Sequence, residues 1–193
     1  MSVSILAFAG SAREQSFNKK LVAIAAGGAV SAGADVTAID LRDYSMPIMD
    51  QDLEEREGLP EHARKIKQLM KASDGFLIAA PEYNSGITPL LKNVIDWASR
   101  AETDDEPPLA AYRNKVAAIM SASPGGFGGL RGLVQVRSIL GNIGVTVLPE
   151  QVAVAQAHEA FTSDGSLKDG RKHQQVAALG SRLVRVAGLL RDG

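Results

Sequence analysis

The chain has 193 residues, with 21 Lys and Arg against 22 Asp and Glu, so its formal net charge is -1. This balance argues against nucleic acid or an anionic membrane as a partner, and the absence of cysteine excludes disulfides, thiol nucleophiles and thiolate metal sites. No apolar run could span a bilayer and no signal segment is visible, so we expect a cytoplasmic protein whose redox chemistry, if any, comes from a bound cofactor.

Short apolar runs alternate with helical patterns along the chain. The predicted strands cover residues 3–9, 35–41, 74–81 and 115–123, and a fifth lies in VTVLPEQVAVA, interrupted at Pro149. Helices are predicted from residue 16 towards 33, over 61–73, within ITPLLKNVIDWAS, around 130–143 and from about 172 to 190. The segment 42–60 is polar and broken by prolines, which indicates a surface excursion.

Strands that are apolar throughout are typical of a parallel sheet with helices on both faces. Five such units without a repeat or a linker predict one α/β domain over residues 1–193, a doubly wound three-layer sandwich around a five-stranded parallel sheet. Ligands bind beyond the carboxyl ends of such strands, so the loops after strands one, three and four should meet at one edge. These loops read GSAREQSFN, PEYNSGITP and SASPGGFGG.

The first loop combines the hydroxyls of Ser11 and Ser16 with the guanidinium of Arg13 and the start of a helix. Unpaired N–H groups at a helix N-terminus favour an anion, and an arginine adds charge-assisted hydrogen bonds. The loop has neither the ATP-type phosphate-loop spacing nor the GxGxxG of dinucleotide folds. On these residues alone, a phosphate cradle and a simple N-cap at Ser16 beside a solvated arginine are equally good interpretations.

The other two loops have features that suit a planar ligand. In the second, Tyr83 offers a flat amphipathic ring, and we expect the backbone N–H groups of residues 82–85 to lie outside any ladder. In the third, four glycines in the stretch 125–129 allow the backbone to approach a ligand closely. Each loop alone could be an exposed turn, but three of them at one edge favour a binding site.

These residues match a known family. GSAREQSFN resembles the G-S-x-R-x-x-S-x-N loop of the NAD(P)H-dependent FMN reductases, a flavodoxin-like family that includes chromate and quinone reductases. PEYNSGITPLLKNVIDWASR resembles that family's P-E-Y-N segment and its L-K-N-x-I-D-W helix, and SASPGGFGGLR is similar to its third loop. The resemblance runs from residue 3 to about 190, and it implies a flavodoxin-like sheet of order 2-1-3-4-5 that binds FMN noncovalently.

The resemblance also implies which residues hold the cofactor. The residues implied around the phosphate are Ser11, Arg13, Ser16 and Asn18, with Phe17 inside the same loop. The residues implied around the isoalloxazine ring are Pro81, Glu82, Tyr83, Asn84 and Ser85 from the second loop and Ser123, Gly125 and Gly126 from the third. No metal and no catalytic side chain is implied, because the chemistry takes place at the flavin N5.

The implied activity is an FMN-dependent oxidoreductase that takes electrons from NADPH or NADH and passes them to quinones, azo compounds, chromate or free flavin. The alternative is a flavodoxin-type electron carrier, although such carriers are strongly acidic and this chain is nearly neutral. A phospho-accepting receiver needs carboxylates after strand one, where Phe8-Ala9-Gly10-Ser11 stands instead. A flavin-free role is the third alternative, and absence of bound flavin would favour it.

Members of the family commonly form homodimers or homotetramers with the flavin near an interface, so the resemblance implies the same here. Trp97, the single tryptophan, is predicted in the core rather than at an interface because of its helical spacing. Arg131 and Glu150 could pair between subunits or could both be solvated.

Overall fold

A computed structural model describes residues 2–191 and contains a five-stranded parallel sheet in the order β2-β1-β3-β6-β7. The sheet strands are β1 (Ser4–Ala9), β2 (Asp35–Ala38), β3 (Gly75–Ala79), β6 (Val116–Ala122) and β7 (Thr146–Val154). Two further strands, β4 (Glu82–Tyr83) and β5 (Gly86–Ile87), form a separate antiparallel hairpin. The parallel sheet has the predicted order 2-1-3-4-5 when its strands alone are counted along the chain.

Helices cover both faces of the sheet, as predicted. They are α1 (Phe17–Ser31), α2 (Gln51–Glu57), α3 (Glu61–Ala72), α4 (Pro89–Ala98), α5 (Leu130–Asn142), α6 (Ala157–Ala160) and α7 (Gly170–Arg191). In β1, Ile5 and Ala7 pack with α1 and α7, whereas Leu6 and Phe8 pack with α3, α4 and α5. This alternation buries both faces, which explains why the strands are apolar at nearly every position.

Helices α1 and α7 are in close contact because each contributes a glycine to their interface. A Cβ atom on Gly28 would lie 2.0 Å from the carbonyl oxygen of Ala177, and one on Gly180 would lie 1.9 Å from that of Ala25. The close contact fixes α1 against the sheet. The position of its N-terminal turn at the carboxyl edge follows from that packing.

Some element boundaries differ from the sequence prediction. Strand β2 ends at Ala38 instead of residue 41, because Asp40 accepts a hydrogen bond from the N–H of Arg42 and starts a short 3-10 turn. The segment 42–60 lies at the surface as expected, but it contains α2 (Gln51–Glu57), which is capped by the side chain of Asp50. Strand β7 continues through Pro149, where the pairing with β6 shifts register and leaves the proline in a bulge.

The core prediction for Trp97 is confirmed. Its side chain is fully buried against Leu59 and Ala63, and its Nε1–H donates to the carbonyl oxygen of Pro47 at 2.8 Å. The indole therefore packs the segment 42–60 onto α4. Among residues 2–191, no helix is both long and apolar enough to cross a membrane.

The loop between α4 and β6 is attached to α3 by a buried ion-pair cluster. Lys67, only 1% exposed, pairs with Glu106 and lies 3.5 Å from Glu102, and its Nζ donates to the carbonyl oxygen of Arg100 at 2.6 Å. A second lysine, Lys71, lies 2.7 Å from the other oxygen of Glu106. The cluster lies at the edge opposite the three predicted loops, since α3 ends where β3 begins.

Candidate functional site

The three predicted loops surround one pocket at the carboxyl ends of β1, β3 and β6. The pocket has a volume of about 120 Å³. It is lined by Ser11, Arg13, Ser16, Phe17, Asn18, Pro81, Glu82, Tyr83, Ala122, Ser123 and Pro124. Four predicted residues, Asn84, Ser85, Gly125 and Gly126, lie outside this lining, and Ala122 and Pro124 line it without having been predicted.

The first loop brings an arginine and two serines to one end of the pocket. The Ser11 hydroxyl accepts a hydrogen bond from the N–H of Arg13 at 3.2 Å, which closes a tight local turn. Ser16 is the N-cap residue of α1, but its side chain makes no capping hydrogen bond to the helix. This hydroxyl and the N-terminal N–H groups of α1 therefore border the pocket together, an arrangement that favours an anion.

Asn18 lines the pocket and also joins two segments of its wall. Its Nδ2 donates to the carbonyl oxygen of Ala122 at 2.8 Å, and its Oδ1 accepts from the N–H of the same residue at 2.9 Å. The side chain is buried and is used to join the first turn of α1 to the end of β6. We infer that it shapes the pocket wall by fixing these two segments.

The second loop is a β-hairpin, which corrects the prediction that its backbone lies outside any ladder. Tyr83 pairs with Gly86, and the two residues between them, Asn84 and Ser85, have φ angles of 51° and 68°. Two left-handed residues in a two-residue hairpin loop form a type I′ turn. The sequence does not signal this turn because serine rarely takes the second position. The turn projects Tyr83, 58% exposed, beside the pocket.

The carboxylate of Glu82 is bound by the start of α5. It is 7% exposed, pairs with Arg131, and accepts a hydrogen bond from the N–H of Gly132 at 3.1 Å. Burial raises the pKa of this carboxyl, but the hydrogen bonds from Arg131 and Gly132 outweigh burial and hold the pKa below its usual range. Within the chain Arg131 thus pairs with Glu82, and Glu150 lies 3.4 Å from Arg182, while a pairing of Arg131 with Glu150 between subunits stays a prediction.

The glycines of the third loop fall into two groups. Gly128 and Gly129 have φ angles of 61° and 88°, and a Cβ atom would lie 2.6 Å from the Val154 backbone or 1.9 Å from the Ser121 hydroxyl. The fold therefore requires glycine at both positions. Gly125 and Gly126 have no such conflict, because a Cβ on Gly126 would meet nothing within 4 Å. Open space on this side is what a close-lying ligand would need.

Each pair of loops is joined by a buried side chain. Asn18 joins the first loop to the third, and Glu82 joins the second to the third. Thr88 joins the second to the first, because its hydroxyl donates to the carbonyl oxygen of Gly10 at 2.8 Å. The same hydroxyl caps α4 by accepting from the N–H of Leu91 at 3.3 Å. Sequence reasoning missed Thr88, although threonine followed by proline is a recognisable helix start.

The residues at this edge fit FMN. One end of the pocket has a cation, a free serine hydroxyl and a helix N-terminus, which suit a phosphate. The other end has Pro81, Tyr83 and a glycine backbone with open space above it, which suit a flat ring with polar edges. The side chains that join the loops hold both ends of the pocket in place.

Comparison with known proteins agrees with this assignment. The family model described as NADPH-dependent FMN reductase matches residues 3–159. An NAD(P)H-dependent FMN reductase of Pseudomonas aeruginosa is 33% identical over 192 residues, which cover 96% of this chain and 98% of that protein. An NAD(P)H:quinone oxidoreductase of Solanum tuberosum is 32% identical over 182 residues, covering 92% and 89%.

A solved structure gives the same result for the fold. The flavoenzyme NAD(P)H:(acceptor) oxidoreductase FerB of Paracoccus denitrificans superposes with a TM-score of 0.79 at 26% identity, covering 97% of this chain and 98% of that one. The sheet order, the three loops and the family model thus point to one assignment. The chain belongs to the NADPH-dependent FMN reductase family.

Proposed function

We propose that this FMN-dependent NAD(P)H oxidoreductase passes its electrons to quinones. The observation that carries the proposal is the pocket at the joined loops, with Arg13 and the N-terminus of α1 at one end and Tyr83 at the other. The relatives named for FMN and quinone reduction support an enzyme over a bare electron carrier. Azo compounds, chromate and free flavin are further electron acceptors that a reduced flavin with an exposed edge would reduce.

The phosphate end of the site binds through charge and directed hydrogen bonds. Arg13 neutralises the phosphate, while Ser16 and the first N–H groups of α1 donate to its oxygens. Within residues 2–191 no carboxylate lies within 4.0 Å of the Arg13 side chain, so the guanidinium can pair with a ligand. Loss of one such contact costs about one decade in affinity, so Arg13→Ala should weaken FMN binding about tenfold.

The ring end of the site binds through surface contact and the backbone. Pro81 and Tyr83 give it an apolar wall, and the hairpin turn at Asn84 and Ser85 sets the direction of Tyr83. The backbone at Gly126 can reach the ring edge without a side chain in between, whereas the N–H of Gly125 donates to the Ser123 hydroxyl at 3.3 Å and helps to shape the loop. These residues orient the ring and leave one side accessible to a second planar molecule.

The redox chemistry would come from FMN held by these residues, whose N5 would take up hydride from a nicotinamide and would pass the electrons on to a quinone. The pocket lining needs no acid or nucleophile of its own. Its one carboxylate, Glu82, is held by Arg131 and Gly132 with a lowered pKa, so it stays ionised and is not a proton donor near neutral pH. We therefore assign no catalytic side chain.

An absorbance experiment tests the proposed function. The purified protein is reconstituted with FMN, freed of excess flavin and given NADPH without air, and a benzoquinone is added afterwards. Bleaching within seconds, followed by recovery on addition of the quinone, is the expected result. Bound flavin that stays oxidised would indicate an electron carrier that awaits a protein partner. Absence of bound flavin would mean that the three loops are ordinary turns.

We also infer a homodimer or homotetramer, and a cytoplasmic location stays a prediction from the sequence. Leu130 and Val134 lie one helical turn apart on α5 and are 42% and 63% exposed, and Phe127, in the loop just before the helix, is 65% exposed. Exposed apolar side chains in a row support an interface at this face. Light scattering of the FMN-loaded protein tests the oligomeric state, and a monomeric mass would contradict the inference.

A further inference from the structure

Four side chains form a continuous stack beside the phosphate end of the pocket. The guanidinium carbon of Arg13 lies 5.6 Å from the centroid of the Phe17 ring. The Phe17 and Phe161 rings are stacked with centroids 5.9 Å apart and an interplanar angle of 11°. The ammonium of Lys20 lies 5.9 Å from the Phe161 centroid. Each ring of the stacked pair thus has one cation near it.

The inner ring of the stack is firmly held. Phe161 is 9% exposed in the core, and it pairs with Leu167 in an antiparallel bridge. The start of its segment is attached to the third loop, because the N–H of Ala157 donates to the carbonyl oxygen of Ser123 at 3.0 Å. Phe17 therefore rests on a ring that the fold itself keeps in position.

Arg13, by contrast, is an exposed side chain on a loop. A free arginine side chain loses rotamer entropy when it binds a phosphate, and a stacked guanidinium has already lost part of that freedom. The face of an aromatic ring attracts a guanidinium and orients its plane. A ring at this position therefore reduces the entropic cost of forming the phosphate contact.

We propose that Phe17 is a positioning residue, which acts on the phosphate of FMN through Arg13 and not through contact with the flavin ring. The proposal deepens the proposed function and rests on it. It also separates Phe17 from the residues that were predicted to touch the cofactor. Phe161 would serve the same purpose one layer further in, by holding Phe17.

The test compares two flavins that differ in the phosphate alone. FMN and riboflavin are titrated, by quenching of flavin fluorescence, against wild type, Phe17→Leu, Phe17→Tyr, Arg13→Ala and the double variant. Loss of the stack should raise the Kd for FMN about fivefold in Phe17→Leu and leave the Kd for riboflavin unchanged. Phe17→Tyr keeps an aromatic face and should bind FMN like wild type. In the Arg13→Ala background, Phe17→Leu should have no further effect.

A matched control comes from a second stacked arginine in the same chain. Arg131 lies 5.2 Å from the ring centroid of Phe127, outside the pocket lining. Phe127→Leu removes a ring of the same kind, so the ratio of the FMN and riboflavin affinities should not change. Urea unfolding of each variant shows whether the protein is folded under the titration conditions, and Phe17→Tyr keeps the test valid if Phe17→Leu unfolds.

The outcomes separate this inference from the proposed function. Equal weakening of FMN and riboflavin by Phe17→Leu would overturn the inference, because Phe17 would then act on the ring or on the fold. Additive effects of Phe17→Leu and Arg13→Ala on FMN would overturn it as well. If wild type bound neither flavin, the proposed function itself would be wrong. If wild type bound FMN and Phe17→Leu bound it with the same Kd, only the inference about Phe17 would be wrong.

Discussion

The side-chain amide of Asn18 makes hydrogen bonds to both the N–H and the carbonyl oxygen of Ala122, as the backbone of a neighbouring strand would do at the end of β6. The two residues are 104 positions apart in the chain. Asn18 belongs to the first turn of α1, and Ala122 is the last residue of β6, within the third loop. This buried amide therefore fixes the start of α1 against the end of β6.

Asn18→Ala should destabilise the protein and weaken FMN binding. The variant leaves the N–H and carbonyl of Ala122 buried without a partner, and unpaired buried groups of this kind cost about 1–3 kcal/mol. We expect the free energy of unfolding to fall by about 2–3 kcal/mol in urea titrations. Asn142→Ala, at an exposed position near the end of α5, is the control and should change it by less than about 0.5 kcal/mol.

Thr88→Val should destabilise the connection between the first two loops. The change keeps the shape of the side chain but removes the hydrogen bonds to Gly10 and Leu91, including the cap of α4. A lost cap and a lost buried hydrogen bond together predict a decrease of about 1–2 kcal/mol in the free energy of unfolding. Thr88→Ser keeps the hydroxyl and should lose less. Equal losses in both variants would show that removing the methyl group costs as much as removing the hydroxyl, which would contradict the assigned role of the hydrogen bonds.

The sheet and its order could be predicted because their causes are local in the sequence. A strand such as β3 is apolar at every position since both faces are covered, and a segment such as α4 repeats its buried residues at helical spacing. The predicted bounds differ from the observed ones mainly where a side chain ends or starts an element. Asp40 and Asp50 do this for β2 and α2 by accepting backbone hydrogen bonds.

The side-chain pairs that build the site could not be predicted in the same way. Glu82 and Arg131 are 49 residues apart, and nothing in either local pattern indicates that they meet. The family resemblance implied that Asn18 and Phe17 belong to the cofactor site, and that stays a prediction. It gave no sign of their neighbours Ala122 and Phe161, which are distant in the sequence. Such contacts follow from packing and not from spacing.

The stability of the protein should depend on the ionisation of Glu106. Burial alone would raise the pKa of this carboxyl, but hydrogen bonds from Lys67 and Lys71 outweigh burial and lower the pKa from 4.5 to about 2. A lowered pKa in the folded state means that the ionised carboxylate stabilises the fold above about pH 4.5. That contribution should be lost as the pH falls from about 4.5 towards 2.

Glu106→Gln tests this relationship. The variant leaves the buried Lys67 with only the longer carboxylate contact of 3.5 Å to Glu102, so near neutral pH it should be less stable than wild type by about 3 kcal/mol. The difference between the two proteins should narrow as the pH falls from about 4.5 towards 2, measured by urea unfolding at each pH. Glu61→Gln removes an exposed partner of Lys65 and should cost about 0.5 kcal/mol or less. A difference for Glu106→Gln that is independent of pH would contradict the assigned charge effect.

Two alanine substitutions in the third loop should differ in their effect on the free energy of unfolding. Gly128→Ala places a side chain 2.6 Å from the Val154 backbone at a φ angle of 61°, so we expect it to destabilise the fold by about 2 kcal/mol or more. Gly126→Ala meets nothing within 4 Å and should leave the free energy of unfolding within about 1 kcal/mol of wild type. If the open space at Gly126 is where the flavin edge lies, Gly126→Ala should still weaken FMN binding. Gly141→Ala, also open on all sides, is the control for both measurements.

The Gly126→Ala variant decides whether the third loop contacts the cofactor, because stability and binding respond separately in it. A methyl group between backbone and ligand displaces the ligand without disturbing any protein contact, so the Kd for FMN should rise while urea unfolding is unchanged. A Kd equal to that of wild type and Gly141→Ala would place the flavin ring away from Gly126. The glycine loop would then serve only to start α5, the purpose for which Gly128 and Gly129 already suffice.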